Sequence, residues 1–239
     1  EFATVHNTHG SSLVAVAAPH PDGVAHIIAP IARRRAPTPR VAPGAAEMRE
    51  CPAMPAPAAC DATYLAQAIA RGERSAADAV ETALARIADV DVRLGAFVDV
   101  AADEARRQAH ASDEQRRRTT AVERGPLDGV PVTVKSAIEV RGLRCETGSP
   151  SRRGTAATSD AVTVARLRRA GAIVIGTTNV AEMLMGYESV NPLHGVTSNP
   201  WDLTRTAGGS SGGEAAAIAA GCSLAGLGSD GGGSVRVPA

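Results

Sequence analysis

The segment that most constrains the fold is the glycine-rich stretch at residues 207–239, AGGSSGGEAAAIAAGCSLAGLGSDGGGSVRVPA. It contains two serine clusters rich in glycine, Gly208–Gly213 and Gly231–Ser234, on either side of an alanine-rich run that favours a short helix. Glycine lacks a Cβ atom, so a ligand can approach its backbone N–H group closely, and the chain can adopt angles that other residues avoid. The pattern therefore predicts hydroxyl groups beside accessible backbone donors.

Acyl transfer requires this combination of groups. A nucleophilic hydroxyl must lie beside N–H donors that stabilise the oxyanion of a tetrahedral intermediate. The alternative interpretation is a pair of flexible Gly/Ser linkers. We favour the catalytic interpretation because linkers seldom flank an apolar helix and strand. A phosphate-binding loop is a weaker alternative, since Gly208–Gly213 lacks the Gly-Lys-Ser/Thr ending of a P-loop.

Lys135 is the one lysine among the 25 lysine and arginine residues of the chain. Arginine does not release its proton at working pH, whereas burial can lower the pKa of a lysine amine until the amine acts as a base. The lysine follows the apolar run Val130–Val134, which predicts a buried strand that delivers Lys135 at its end. We therefore interpret Lys135 as a candidate base, with a surface lysine as the alternative.

Motifs spread over residues 63–239 resemble the amidase signature family, whose enzymes use a serine, a second serine in a cis peptide and a lysine. The resembling segments are GPLDGVPVTVKS, GTTNVAEMLMG, NPLHGVTSNPWDLTRTAGGSSGG and GSDGGGSVRVPA. Carried over one residue at a time, the resemblance places the nucleophile on Ser234, the bridging cis-serine on Ser210 and the general base on Lys135. The separations of these residues along the chain agree with the family's arrangement.

The resemblance implies two further groups of site residues. The first group donates hydrogen bonds from backbone N–H groups to the oxyanion: Gly231, Gly232 and Gly233. The second group holds the nucleophile, the relay and the base in place: Ser211, Asp230 and Arg236. No metal or organic cofactor is implied. One departure from the family is Ser136, since aspartate usually follows the lysine there.

The activity that the resemblance implies is hydrolysis of the C–N bond of a small-molecule carboxamide, to a carboxylate and ammonia or an amine, through an acyl-enzyme on Ser234. An alternative in the same family is the glutaminase subunit of a tRNA-dependent amidotransferase. Those subunits usually carry glutamine where this chain has Val237. A third interpretation is an inactive fragment or a pseudoenzyme, which binds a ligand without catalysing a reaction.

Composition argues against two other classes. The 25 acidic residues balance the 25 lysine and arginine residues, so the chain has no basic field for nucleic acid. No stretch approaches the length that spans a bilayer. We therefore expect neither a nucleic-acid nor a membrane partner, and we expect a cytoplasmic location. The composition leaves open whether the chain forms a homodimer. The four cysteines show no metal-ligand spacing, so we expect no metal site.

The chain divides into two regions. Residues 1–57 are rich in proline, alanine and arginine without a persistent period, and we interpret them as a disordered or non-native leader, with Met48 or Met54 as the true start. Residues 58–239 are interpreted as the N-terminal portion of an amidase signature domain, because the family continues well beyond this point. We expect a fragment that lacks sheet strands and is poorly soluble or inactive by itself.

Alternating strand, loop and helix patterns predict an α/β fold, in which helices cover a mixed β-sheet that is present only in part. A helix is predicted after each of two capping residues, Ser75 and Asp160. The polar residues of Gly176–Asn179 and Glu182 are interpreted as belonging either to the site or to loop structure. The apolar side chains that follow are predicted to pack in the core, with an acyl pocket as the alternative: Met183, Leu184, Met185 and Tyr187.

Overall fold

The computed structural model describes the backbone of residues 2–6, 12–16, 25–28, 61–118 and 124–239, with side chains from residue 61 onward in these ranges. Met48 and Met54 lie outside the described residues. The described ranges before residue 61 form three short strands: β1 (Phe2–His6), β2 (Ser12–Val16) and β3 (Ala25–Ile28). They lie within residues 1–57, the region interpreted from its composition as a disordered or non-native leader. Runs of four or five residues are too short to show a period, yet they are long enough to pair with another strand.

A five-stranded mixed sheet lies at the centre of the fold. Its other four strands are β4 (Phe97–Val100), β5 (Pro131–Lys135), β6 (Ile173–Thr178) and β11 (Gly226–Ser229). The order is β3-β11-β5-β6-β4, with β11, β5 and β6 parallel and the two edge strands antiparallel to their neighbours. The prediction of a mixed sheet is confirmed. Strands β5 and β6 are buried along their whole length, as parallel strands covered on both faces are.

Five helices cover the sheet in the described part of the chain: α1 (Ala62–Arg71), α2 (Ala76–Leu94), α3 (Ala102–Arg116), α4 (Val162–Arg169) and α5 (Gly212–Ala219). The Ser75 hydroxyl caps α2 by accepting a hydrogen bond from the Asp78 N–H at 2.9 Å, as predicted. Asp160 does not cap α4, because its carboxylate accepts from the Arg141 N–H and pairs with Arg168 instead. That part of the prediction is wrong.

Each face of the sheet has its own apolar layer. On one face, apolar side chains of α2, α3 and α5 pack against Ile173 and Ile175. On the other face, α1 and α4 pack against Val132, Val134 and Val174. Complete burial of a side chain of this size contributes about 1.5–3 kcal/mol. The alternation along β5 therefore directs its valines to the α1 and α4 layer and leaves Thr133 and Lys135 on the α5 side.

A β-bulge in β6 extends this alternation to the neighbouring strand. Val132 of β5 pairs with Val174, but the next residue, Thr133, pairs with Gly176, so β6 has one extra residue at this point. The extra residue reverses the direction of the side chains that follow it. Thr178 thus joins Thr133 and Lys135 on the α5 side of the sheet.

The segment between β6 and α5 consists of short elements. It contains the strands β7 (Val190–Asn191), β8 (Gly195–Val196), β9 (Ser198–Asn199) and β10 (Asp202–Thr206). Near Glu182 the chain forms a single 3₁₀ turn, Glu182–Leu184. Three side chains that were predicted to pack in the core are 50–87% exposed: Met183, Met185 and Tyr187. That prediction is wrong for them, because a one-turn helix has no buried face on which to place them.

Gly213 of α5 permits the closest approach between this helix and the rest of the fold. A Cβ atom at this position would overlap with the Asn179 N–H and lie 2.7 Å from the Ala96 carbonyl oxygen, both of them backbone atoms. Gly213→Ala is therefore expected to destabilise the intact protein by about 1–3 kcal/mol, although alanine favours helix formation by roughly 0.5–1 kcal/mol. The midpoint of denaturant unfolding measures this change.

Gly186→Ala is the matched control. A Cβ atom there would lie 3.6 Å from the Ala181 Cβ, an ordinary contact. We expect this variant to stay within about 0.5 kcal/mol of the parent protein. A Gly213→Ala protein as stable as the Gly186→Ala protein would contradict the close approach described here.

Candidate active site

Three chain segments meet at one edge of the sheet. Lys135 is the last residue of β5, Ser210 and Ser211 precede α5, and Gly231–Ser234 follow β11. Because β5 and β11 run parallel, their carboxyl ends reach the same edge, where ligand sites of α/β sheets commonly form. Residues that lie far apart in the sequence are thereby brought together.

Lys135 is fully buried, so the surface-lysine interpretation is wrong. Its Nζ atom lies 2.8 Å from the Ser210 Oγ, 2.9 Å from the Ser229 Oγ and 3.2 Å from the Ser229 carbonyl oxygen. Burial lowers the pKa of the Lys135 ammonium to about 8, and the carboxylates of Glu214 and Asp230 oppose that shift. A neutral amine can donate two hydrogen bonds and accept one. An ammonium donates to all three oxygens, whereas a neutral amine can donate to the two Ser229 oxygens and accept from the Ser210 hydroxyl.

Ser210 is buried beside the amine, and the peptide bond between Gly209 and Ser210 is cis. The Ser210 carbonyl oxygen accepts a hydrogen bond from the Ser189 hydroxyl at 3.3 Å. A Cβ atom on Gly209 would lie 2.7 Å from backbone atoms of Glu188. Backbone contacts on both sides therefore hold the Ser210 hydroxyl toward Lys135.

Ser234 is half-buried and joins this cluster through its backbone. Its carbonyl oxygen accepts a hydrogen bond from the Ser211 N–H at 3.0 Å, and the Ser211 hydroxyl donates to the Ser229 carbonyl oxygen at 3.2 Å. Among the described residues, the Ser234 hydroxyl makes no hydrogen bond. The structure thus brings Lys135 and Ser210 into contact and leaves the Ser234 hydroxyl without the direct bond to Ser210 that the resemblance implies.

Asp230 organises the loop that carries Ser234. Its carboxylate accepts hydrogen bonds from the backbone N–H groups of Gly233, Val235 and Arg236 at 2.6, 3.0 and 3.2 Å. The Arg236 guanidinium adds two contacts, at 2.8 and 2.9 Å. The Arg236 side chain, with these N–H groups, holds the pKa of the Asp230 carboxyl well below its usual range. A permanently charged, side-chain-buried carboxylate therefore keeps the loop closed on itself.

Of the three glycines predicted to line an oxyanion hole, Gly233 differs from the other two in the hydrogen bond of its N–H group. The Gly233 N–H donates to Asp230, so it is not available to a ligand. Within the described part of the chain, the N–H groups of Gly231, Gly232 and Ser234 have no acceptor. Gly231 and Gly232 are exposed, and the Gly232 carbonyl oxygen accepts from the Tyr187 hydroxyl at 3.1 Å. The donors that remain lie on both sides of Gly233.

A family model described as Amidase matches residues 78–239. The chain belongs to the amidase family. It is 47% identical over 168 residues to one subunit of the glutamyl-tRNA(Gln) amidotransferase of Symbiobacterium thermophilum, in an alignment that covers 70% of this chain and 34% of that relative. It is 42% identical over 180 residues to human fatty-acid amide hydrolase 2, with coverage of 73% and 34%.

A solved structure has the same fold as this amidase-family chain. It is described as an unexpected vestigial protein complex that reveals the evolutionary origins of an s-triazine catabolic enzyme. The match has 41% sequence identity and a TM-score of 0.72, and it covers 75% of this chain and 39% of that one. The chain spans about a third of the length of the curated relatives it matches. No helix within the described residues is long and apolar enough to cross a membrane.

Sequence reasoning missed three residues around the amidase-family lysine: Ser229, Glu214 and Thr133. Thr178 lies in the segment Gly176–Asn179, for which the site was one of two interpretations. Thr133 lies two residues before Lys135, and the period of a strand could have placed both on one face. Glu214 is the one charged residue in the run GGEAAAIAA, which is otherwise apolar. A charge in such a helix is a signal for a buried partner, since carboxylates are seldom buried alone.

Two polar residues after β6, Asn179 and Glu182, form hydrogen bonds with side chains of neighbouring loops. The Asn179 amide accepts from the Asn191 side chain at 2.6 Å and donates to the Thr197 hydroxyl at 3.1 Å. Glu182 accepts from the Ser149 hydroxyl at 3.0 Å. Neither residue bonds to Lys135 or to the serines of the site, so the contacts favour the loop interpretation over the catalytic one.

Proposed function

We propose that the protein containing this chain hydrolyses a carboxamide through an acyl-enzyme on Ser234. The observation that carries the proposal is the buried Lys135 amine, 2.8 Å from the Ser210 hydroxyl at the edge where the Ser234 loop begins. Membership of the amidase family supports amide hydrolysis as the reaction class. The names of the relatives refer to different compounds, a glutamyl-tRNA and a fatty-acid amide, so the substrate proposed here is a small-molecule amide without further definition.

The proposed first step moves two protons in one direction. Neutral Lys135 accepts the proton of the Ser210 hydroxyl, and the Ser210 oxygen accepts the proton of Ser234 as the Ser234 oxygen attacks the carbonyl carbon. The new C–O bond displaces the carbonyl π electrons onto the oxygen. This step requires the half-buried Ser234 hydroxyl to turn toward the Ser210 oxygen.

The intermediate then collapses with the protons moving back. Lys135 returns its proton through Ser210 to the leaving nitrogen as the C–N bond breaks, and ammonia or an amine departs. Water repeats the sequence on the ester of Ser234. The free N–H groups of Gly231, Gly232 and Ser234 are the proposed oxyanion donors, and one donor of this type contributes about 2.7–4 kcal/mol. Asp230 and Arg236 keep that loop in shape, and no metal or organic cofactor takes part.

A second candidate function is the glutaminase step of a tRNA-dependent amidotransferase. The 47% identity to a protein named as part of a glutamyl-tRNA(Gln) amidotransferase supports this alternative. It makes a distinct prediction about partners. Release of ammonia from glutamine only when partner proteins are added would favour the glutaminase, whereas hydrolysis of simple amides by the protein alone would favour the amidase.

Active-site labelling tests the proposed nucleophile. A fluorophosphonate should react with Ser234 of the intact protein, since the Ser234 oxygen displaces fluoride from phosphorus as its proton passes to Ser210 and Lys135. We expect one phosphonylated peptide, which contains Ser234, and no label in Ser234→Ala. The exposed Ser151 provides the matched control, because Ser151→Ala should be labelled like the parent protein. Label on Ser210 would reverse the roles of the two serines, and no label at all would contradict the proposal.

A further inference from the structure

Glu214 is a buried carboxyl group that the mechanism above does not use. It lies in the first turn of α5 and is completely buried. Its Oε1 atom contacts the Thr133 hydroxyl of β5, and its Oε2 atom accepts from the Thr178 hydroxyl of β6 at 2.6 Å. A Cβ atom on Gly226 of β11 would overlap with its Oε1 atom. Three adjacent strands thus form a socket around one carboxyl group.

The socket lies on the Lys135 side of the sheet. Thr133 and Lys135 are two residues apart on β5, and Thr178 is the direct partner of Lys135 in the β5–β6 ladder. Neighbouring strands are about 4.8 Å apart. The carboxyl group is therefore bonded to the strand residues that neighbour the lysine on the same face of the sheet, while the serine oxygens contact the amine itself.

Among the described residues, the hydrogen-bond partners of Lys135 are all serine oxygens, and none is a carboxylate. Two carboxylates act on its charge from a distance: Glu214 from α5 and Asp230 from the loop after β11. The atoms that contact the amine directly are neutral: the Ser210 hydroxyl before α5, and the hydroxyl and carbonyl oxygen of Ser229 on β11. Asp230 is already occupied by Arg236, whereas Glu214 has only neutral partners. Of these two carboxylates, Glu214 is therefore the one that forms no ion pair with a described residue.

We propose that Glu214 is a positioning residue for Lys135, a buried counter-charge that stabilises the ammonium form and sets the pH at which the amine becomes free. The proposal rests on the proposed role of Lys135 as the base. Thr133 and Thr178 hold the carboxylate on the correct face of the sheet. The bulge in β6 is required for this arrangement, because without it Thr178 would face the opposite layer.

Two further observations support the proposal. Burial raises the pKa of Glu214 to about 7, while the hydrogen bonds from Thr133 and Thr178 and the charge of Lys135 oppose that rise. The carboxyl group and the ammonium therefore titrate in the same range and influence each other. The socket also accommodates both forms. A protonated Glu214 can donate to Thr133, whose hydroxyl can then donate to the Ser223 Oγ at 3.0 Å.

The sign of the effect follows from the charges. An anionic Glu214 favours the ammonium and raises the pKa of Lys135, so removal of its charge should lower that pKa. Glu214→Gln is nearly isosteric and keeps an acceptor and a donor for the two threonines. In the intact protein, we expect the pKa of Lys135 to fall by about one unit in this variant. The acid limb of the kcat/KM profile should move to lower pH by the same amount.

The pKa of Lys135 can be measured without any activity assay. Lysine side chains are labelled selectively with ¹⁵N, and the NMR signal of Lys135 is identified as the one that disappears in Lys135→Arg. The chemical shift of this signal is then followed against pH. Glu146→Gln is the matched control, because Glu146 is also buried but is bonded to His194 and the Gly154 N–H instead. We expect the Lys135 titration to be unchanged in this control.

Thr178→Val provides a second variant. It removes a hydrogen bond that stabilises the anion, so Glu214 stays protonated to higher pH and the pKa of Lys135 should fall by a smaller amount. An unchanged Lys135 titration in Glu214→Gln overturns the proposal, and if that variant does not fold, an unchanged titration in Thr178→Val overturns it. A shifted titration in a protein without amidase activity would leave this proposal standing and contradict the proposed function.

Discussion

Ser234→Ala is expected to lower kcat for amide hydrolysis by about 10⁴-fold or more, because no acyl-enzyme can form without the nucleophilic oxygen. Binding of the amide should change little, since the Asp230 contacts that shape the loop use backbone N–H groups and Arg236 rather than the Ser234 side chain. Steady-state kinetics of the intact protein, with a direct binding measurement, separates the two effects.

The control for this substitution is again Ser151→Ala, which removes a hydroxyl from an exposed position. Its kcat should match that of the parent protein. Retention of more than about one hundredth of the activity in Ser234→Ala would exclude Ser234 as the nucleophile, since residual catalysis by oxyanion donors and binding alone is far weaker. Activity that instead depends on Ser210 would exchange the roles of the two serines.

Lys135→Met is expected to reduce kcat/KM by roughly 10²–10⁴-fold, the usual contribution of a general base. In the parent protein, kcat/KM should rise with pH through about 8, the pKa to which burial lowers the Lys135 ammonium, because only the neutral amine accepts a proton. The methionine variant has a side chain of similar length without the amine. Its residual activity should therefore lack that rise, and a pH–rate profile from about pH 6 to 10 shows the difference.

The same substitution should stabilise the fold at low pH. Because the folded-state pKa lies near 8 and the unfolded value is 10.5, protonation of Lys135 favours unfolding. The penalty is present in full below pH 8, decreases as pH rises toward 10.5, and is absent above it. Lys135→Met should thus exceed the parent protein in stability by on the order of 3 kcal/mol at pH 6–7, with a smaller difference at pH 10. Equal stability at both pH values would contradict the buried charge.

Part of the fold follows from local patterns. The Ser75 cap predicts α2, and the apolar run before Lys135 predicts the buried strand β5, because capping and burial leave signals within a few residues. The exposed Met183, Met185 and Tyr187 show where such reasoning ends. An apolar run predicts burial only if a regular element gives it an inner face, and the backbone there makes a single 3₁₀ turn.

By itself, the sequence determined which chemical groups are present: one lysine after an apolar run, and hydroxyls among glycines that let backbone approach closely. These are properties of residue type and short-range order. Only the tertiary structure decided that the Gly233 N–H is taken by Asp230, and that a bulge in β6 brings Thr178 beside Thr133 to hold Glu214 near the lysine. Such contacts join residues from different strands and loops. Their formation depends on strand register, which no local pattern of residues specifies.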